Sequence, residues 1–433
     1  MADNARQIGM GTATALVLGN MVGSGVFLLP ASLAPYGRYS LWGWGFSACG
    51  AMLVAGVFSR LARRQPKAGG PYAYTRAGFG DFLGFLVGWG YWISVVAANA
   101  ALAVAMASYL AAFVPAIAST PLLGAGVALG AVWILTAVNC RGVRTAGTVQ
   151  VVTTILKLTP LLVLALFGIA HFNPRILASG SPAMTPVSAV NACVALTLWA
   201  FLGLESATIP AEHVRDAERT IPRATLLGTG IAAVFYIVCT TVVMSIIPAS
   251  RLAASNAPFA DAATMLWGHW AGYLIAATAA ISCFGALNGW VLMVGELPRA
   301  VAQDGLFPAW FGRVSGRGAP VFGLVLGGLL TTALVLMNYQ RGLVSMFTFI
   351  ILLSTLSTVI PYLFCSMAEI VLSRHDDPSR RRPVRDTVLA CGAFLFAIWA
   401  IAGTGPTTVY WGFLLLLAGV PVYVWQTGRR ATA

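Results

Sequence analysis

Charge is what this sequence has least of. Only 9% of its 433 residues are Asp, Glu, Lys or Arg, and 13 are acidic. A soluble domain carries roughly a quarter of its residues as charges, so that class is excluded at the first step. Reactive chemistry is equally thin. The seven cysteines, Cys49, Cys140, Cys193, Cys239, Cys283, Cys365 and Cys391, lie mostly in apolar runs. With no CxxC pair and no metal-ligand spacing, they read as small packing residues. No nucleophile, metal or phosphate-loop motif supports an enzyme, and neither cofactor nor metal is expected. A signal-peptide cleavage site is missing too: the first apolar run continues well past signal-peptide length and is expected to be a retained helix.

What the chain has in abundance is apolar length. It is 58% hydrophobic, with a mean hydropathy of +0.82. Twelve apolar stretches can be counted, each near the roughly 20 residues that cross about 30 Å of hydrocarbon. The expected fold class is an all-α integral membrane protein of twelve transmembrane helices. The expected spans are 8–33, 40–61, 82–113, 122–139, 148–170, 188–212, 224–247, 267–302, 320–337, 342–373, 388–401 and 410–425. Between the second and third lies Lys67-Ala68-Gly69-Gly70-Pro71-Tyr72-Ala73-Tyr74. It is too rich in breakers for a helix core and too apolar for a plain loop, which suits a re-entrant or surface-hugging segment.

The formal net charge of +13 does not indicate nucleic acid, because the basic residues sit at segment ends instead of forming one face. With the N-terminus inside, 21 of the 26 fall in cytoplasmic segments, including Arg60, Arg63, Arg64, Arg141, Arg144 and the run Arg380 to Arg382. Arg38, Arg175, Arg251 and Arg341 fall outside, and Lys157 alone lies within a span. The positive-inside rule then places both termini in the cytoplasm.

Two spans are interrupted. The first carries Gly19-Asn20-Met21-Val22-Gly23-Ser24-Gly25-Val26-Phe27 and the sixth Trp199-Ala200-Phe201-Leu202-Gly203-Leu204-Glu205-Ser206. Glycine weakens a helix by about 1 kcal/mol relative to alanine, so something must be gained there. Paired interrupted helices point to the binding site of a transporter. Their spacing of five suggests inverted repeats, 1–170 (helices 1–5) and 171–373 (helices 6–10), followed by 374–433 with the last two helices, in one membrane domain. Unwound backbone in hydrocarbon costs several kcal/mol per unpaired group unless a ligand, water or protein group satisfies it. A zwitterion meets that need. Amides after Gly25 and the Ser24 hydroxyl would take its carboxylate, and carbonyls near Met21, Trp199 and Leu202 its ammonium. Close packing of small residues is the plainer reading of Gly23-Ser24-Gly25, and the matching break at Gly203 weighs against it.

Glu205, an ionisable group deep in a span, could take and release a proton during transport, or be held by hydroxyls and helix ends without titrating. Lys157 could hold the broken backbone of the first span from the side, carry a proton, or snorkel toward the cytoplasm. Glu296 and Glu369, nearer the inner ends of their spans, read as partners for nearby arginines. Trp199 stands beside the second break and Trp290 in Asn288-Gly289-Trp290 midway along the eighth span; a ring that faces the cavity could act as a lid or hold a cation, and each alone is more often core.

These stretches, with Gly69-Gly70-Pro71-Tyr72-Ala73-Tyr74 and Asp304-Gly305-Leu306-Phe307-Pro308, resemble the amino acid–polyamine–organocation superfamily over nearly the whole chain. Within it the chain is most similar to the basic amino acid/polyamine antiporters of the arginine/agmatine type. The resemblance implies a five-plus-five inverted-repeat fold in the inner membrane, often a homodimer, exchanging substrates by alternating access. The family's carboxylate-binding positions fall on Gly23, Ser24 and Gly25, and its substrate-lining Asn and Trp residues on Asn99, Trp199 and Trp290. Ser354 matches a side-chain contact, Tyr91 and Tyr362 the gating tyrosines, and Glu205 a proton-sensitive Glu. Two departures stand out: Ser94 and Val95 replace a small Ala and Cys in the side-chain pocket, and Lys157 has no counterpart in the arginine/agmatine type. The expected substrate-binding set is therefore Asn20, Met21, Gly23, Ser24, Gly25, Ser94, Val95, Asn99, Trp199, Leu202, Gly203, Trp290 and Ser354. The expected function is antiport of an arginine-like amino acid for its decarboxylated amine, agmatine, or for another amino acid. Proton-coupled transport of neutral amino acids is the alternative, since no acidic residue in the proposed pocket pairs with a side-chain cation.

Overall fold

The computed structural model describes residues 7–180, 184–339, 344–376, 383–403 and 406–431, without the side chains of 344–355, 375–376 and 429–431. It is helical nearly throughout. Eleven helices among the described residues are long and apolar enough to cross a membrane.

The first expected span is not one of the eleven. Helix α1 (Met10–Met21) stops after twelve residues, Val22 to Ser24 bend, and a 3₁₀ turn (Gly25–Phe27) leads into the short α2 (Leu29–Leu33). There follow α3 (Tyr39–Arg64), α4 (Pro71–Phe79), α5 (Asp81–Leu110), α6 (Ala116–Ser119), α7 (Pro121–Cys140), α8 (Val143–Gly168), α9 (Pro174–Leu177) and α10 (Pro186–Leu198). Residues Pro186–Thr208 count among the eleven, but after α10 the chain does not resume as α-helix, where a sixth span was expected to reach residue 212. A 3₁₀ turn (Trp199–Phe201), a reversal over residues 202–205 and two more 3₁₀ turns (Ser206–Thr208, Ala211–His213) take its place. The chain continues with α11 (Ala217–Ile246), α12 (Ala249–Ala253), α13 (Pro258–Trp267), α14 (His269–Gln303), α15 (Val321–Tyr339), α16 (Val344–Asp376), α17 (Val384–Gly403), α18 (Pro406–Leu417) and α19 (Val420–Ala431).

The breaker-rich segment after α3, expected to be re-entrant or surface-hugging, is helical in its second half and does not hug the surface. Gly69 and Gly70 have φ of +99° and +46°, a turn that L side chains resist, and from Pro71 onward the chain is helical. Proline suits the first helical position because its missing N–H would have no intrahelical partner there. Tyr72 and Tyr74 are fully buried, so α4 is a packed wedge and not a surface-hugging strip.

Two apolar cores meet around the interrupted stretches. One gathers α1, α3 and α11 with residues 198–214; the other gathers α5, α7, α14 and α15. Their outer faces stay apolar, as at Leu122, Trp42 and Leu166, which suits a surface solvated by lipid. The expected arginine partners form: Arg299 is 2.9 Å from Glu296, and Arg60 is 3.2 Å from Glu369.

Candidate functional site

The first interruption is held from the side. Lys157 on α8 is fully buried, and its Nζ donates to the carbonyls of Gly19 (2.6 Å) and Val22 (2.5 Å), two acceptors freed where α1 ends. It does not snorkel to either face. Ser282 on α14 donates to the carbonyls of Val22 and Gly23 (3.0 and 3.2 Å), and Tyr109 on α5 reaches the carbonyl of Ser24 at 3.5 Å. Donors from three neighbouring helices thus replace the ladder that a continuous helix would supply. The amides of Ser24, Gly25 and Val26 donate to no protein acceptor among the described residues. Gly25 is a glycine for a spatial reason: a Cβ there would lie 2.6 Å from Cδ1 of Trp199.

The second interruption is built differently. Gly203 has φ +99°, and its carbonyl accepts from the Ser206 amide (3.0 Å) and hydroxyl (2.5 Å). Thr208 closes onto the carbonyl of Glu205 through its amide and its hydroxyl (2.8 and 2.7 Å). The Glu205 carboxylate is fully buried between two phenols: Tyr91 on α5 donates to Oε1, and Tyr362 on α16 donates to Oε2 at 2.5 Å. Tyr362 also accepts from the Gly203 amide at 3.4 Å. A buried carboxylate without such donors would carry a large desolvation cost.

A chain of amide side chains ties the interruptions to the scaffold. Asn20 donates to Ser206 Oγ (2.9 Å), Gln150 on α8 to Asn20 Oδ1 (3.4 Å), Asn288 on α14 to Gln150 Oε1 (3.0 Å), and Asn139 on α7 to Asn288 Oδ1 (3.2 Å).

Between the interruptions lies a cavity of about 60 Å³. Of the residues singled out from sequence, Asn20, Met21, Gly23, Ser24, Gly25, Trp199, Leu202 and Trp290 line it. Others do not. Asn99 is buried away from it on α5, with no partner for its Oδ1 among the described residues. Ser94 lies a turn below the α5 lining residues, donating to the carbonyl of Tyr91 (2.7 Å) and accepting from Thr358 (3.2 Å), and Val95 is buried beside it. Gly203 sits behind Asn20 and Trp290, and the Ser354 side chain is outside the described residues. Glu205, Lys157, Tyr91 and Tyr362 flank the cavity without lining it. The carbonyls expected to be free are partly engaged, since that of Met21 accepts from Gly23 N (3.0 Å) and that of Trp199 from Leu202 N (3.3 Å).

The lining also includes Val26, Ala98, Ala101, Leu102, Ala200 and Thr358, which sequence reasoning passed over. Ala98, Ala101 and Leu102 share one face of α5, a pattern visible in sequence but common to every apolar helix. Ser282, Gln150 and Asn288 carried a better signal, being polar at mid-span. No lining residue is acidic; the walls offer two indole rings, unpaired amides, a serine and a threonine hydroxyl, and the Asn20 amide. Such walls can hold a carboxylate by N–H and O–H donors and a cation by aromatic faces. Among the described residues no group of three or more His, Cys, Asp or Glu could hold a metal.

A family model described as amino acid permease matches residues 8–426. The chain is 36% identical over 372 residues to a cadaverine/lysine antiporter of Escherichia coli (strain K12), covering 84% of this chain and 83% of that protein. It is 32% identical over 430 residues to the putrescine transporter PotE of the same strain, covering 97% and 96%. To the putrescine transporter PotE of Haemophilus influenzae it is 32% identical over 425 residues, 98% of each.

Proposed function

Because the chain belongs to the amino acid permease family, whose matched relatives are transporters and not enzymes, we propose that it is an antiporter exchanging a cationic amino acid for an amine across the inner membrane. The observation that carries this reading is the cavity wall, lined by Ser24 to Val26, whose amides donate to no protein acceptor among the described residues, and by two indoles, with no acidic residue in the lining. The amides and the Ser24 hydroxyl bind the α-carboxylate of the incoming amino acid, and Trp199 and Trp290 take the cationic end by cation–π contact. An amine lacking the carboxylate leaves the amides unpaired and departs more easily. The arginine/agmatine pair is the exchange implied by the sequence resemblance. The names of the relatives support a shorter cation, so lysine with cadaverine, and putrescine, come first as cargo.

In the same reading the interrupted first segment is a twelfth crossing, residues 1–170 and 171–373 are inverted repeats, and 374–433 completes one membrane domain with both termini cytoplasmic. Lys157 holds the first segment where a sodium ion would otherwise sit, Glu205 exchanges a proton with Tyr91 and Tyr362 gating beside it, and the assembly is a homodimer. The acid-free wall also favours a second reading, proton-coupled carriage of a neutral amino acid.

Proteoliposomes preloaded with lysine, cadaverine, putrescine, arginine, agmatine or leucine separate these readings. Labelled cadaverine is expected to enter only against an internal partner, fastest against lysine. Entry into empty vesicles that follows an imposed proton gradient sinks the exchange reading, and counterflow confined to leucine sinks the cationic cargo. Trp290→Leu is expected to raise KM for cadaverine about five- to thirtyfold, the worth of a desolvated cation–π contact, while sparing leucine.

A further inference from the structure

Away from the cavity, basic charge gathers where the last turn of α3 meets the first turn of α17. A hollow of about 550 Å³ opens there, lined by Arg60, Arg63, Arg64, Arg385, Asp386 and Leu389. An adjoining hollow of about 400 Å³ shares Arg63 and adds Glu218, Arg219 and Arg223 from α11. The buried carboxylates at this place are already engaged: Asp386 accepts from Arg60, and Glu369 lies 3.2 Å from Arg60 and 3.5 Å from Arg64. Arg385 is 3.4 Å from Asp386 but 88% exposed, and exposed Arg63 has no ion pair among the described residues. Among the described residues the two hollows thus bring six arginines together with three carboxylates.

Position limits the anion that fits. Both α3 and α17 are membrane-length helices and the hollow lies where they end, at the depth of lipid headgroups. On its outer face, well around the helix from Asp386 and Leu389, α17 exposes Val384, Val388, Leu395 and Ile398, spaced by four, seven and three residues, hence one apolar stripe turned to the lipid, with exposed Arg385 between that face and the hollow. A free phosphate would use the arginines and leave the stripe idle. A second copy docked by a twofold axis here would set arginine against arginine. An anionic phospholipid uses both parts, with its phosphate in the guanidinium fork and an acyl chain on the stripe. We propose that the α3–α17 hollow is a binding site for the headgroup phosphate of an anionic phospholipid, bound through Arg63 and Arg385, with its acyl chain along α17.

The test is lipid retention by the full-length protein in detergent, measured by native mass spectrometry with phosphatidylglycerol or phosphatidylcholine of matched chains. Phosphatidylglycerol is expected to be retained preferentially. Arg63→Gln and Arg385→Gln should each weaken retention about fivefold and the double variant about twentyfold, as expected for loss of one and two interfacial cations. Both residues are exposed, so the thermal midpoint in neutral lipid should not move; if the double variant fails to fold, the single variants carry the test. Arg251→Gln, on α12, should leave retention unchanged. Equal retention by the double variant, an equal loss in Arg251→Gln, or displacement of the lipid by millimolar glycerol phosphate each overturns the proposal. So does a dimer that Val388→Ser dissolves while lipid retention stays the same.

Discussion

The two interruptions solve one problem by opposite means. In the first, residues 22–24 make few bonds among themselves, and the freed carbonyls are held from outside by Lys157, Ser282 and Tyr109 on three different helices. In the second, residues 202–208 form their own turns through Gly203, Ser206 and Thr208, and one carboxylate reaches outward to Tyr91 and Tyr362. A stretch clamped by its neighbours depends on where they stand, whereas a self-bonded turn travels as a unit. The first interruption is therefore the one whose geometry, and whose unpaired amides, should respond most to rearrangement of the surrounding helices.

The sharpest way to break this contrast is Lys157→Met, which is one atom shorter and removes both hydrogen bonds. The buried Gly19 carbonyl loses its partner and that of Val22 keeps only Ser282, and the expected loss of stability is about 3 kcal/mol, read by thermal or denaturant unfolding in detergent. A change below about 1 kcal/mol would mean that the clamp is dispensable. Gly203→Ala comes next. A left-handed φ costs a non-glycine residue about 1–2 kcal/mol, and the new Cβ would press on Asn20 and Trp290 at 3.3 Å. Both stability and cargo affinity should fall; loss of stability alone would separate the second turn from the cavity.

Tyr362→Phe leaves Glu205 with Tyr91 and should cost about 1–2 kcal/mol, with a double-mutant cycle against Tyr91→Phe showing non-additivity. Additive losses would mean that the two phenols act independently on the carboxylate. Ser282→Ala is the mildest, about 1 kcal/mol or less, because Lys157 still serves the Val22 carbonyl. A loss as large as that of Lys157→Met would reverse the ranking of the two donors.

Much of this site was legible in the sequence, for a physical reason. Glycine pairs and ionisable residues inside apolar runs are costly, so Gly23-Ser24-Gly25, Gly203, Glu205 and Lys157 stand out by composition alone. What stayed hidden was depth and facing. Ser94 lies on the α5 face that carries Ala98 and Leu102, but one turn below the cavity and behind Thr358; Asn99 is rotated about 100° off that face. Helical period is written in a sequence, while the level at which a cavity cuts across a helix is not. The sixth span crosses as expected by length and composition over Pro186–Thr208, but past its break it does not continue as α-helix to residue 212. Residues 206–213 carry Pro210, Glu212 and His213, and hydroxyls at Ser206 and Thr208 close 3₁₀ turns there.

The sequence by itself determined that this chain is a helical membrane protein and which residues inside its apolar runs are out of place there, because hydrocarbon penalises charge and unpaired backbone locally, residue by residue. Which donors mend each break was decided only by tertiary structure. Lys157 lies more than 130 positions from the carbonyls it holds, Tyr362 more than 150 from Glu205, and nothing local in the chain specifies such a pairing.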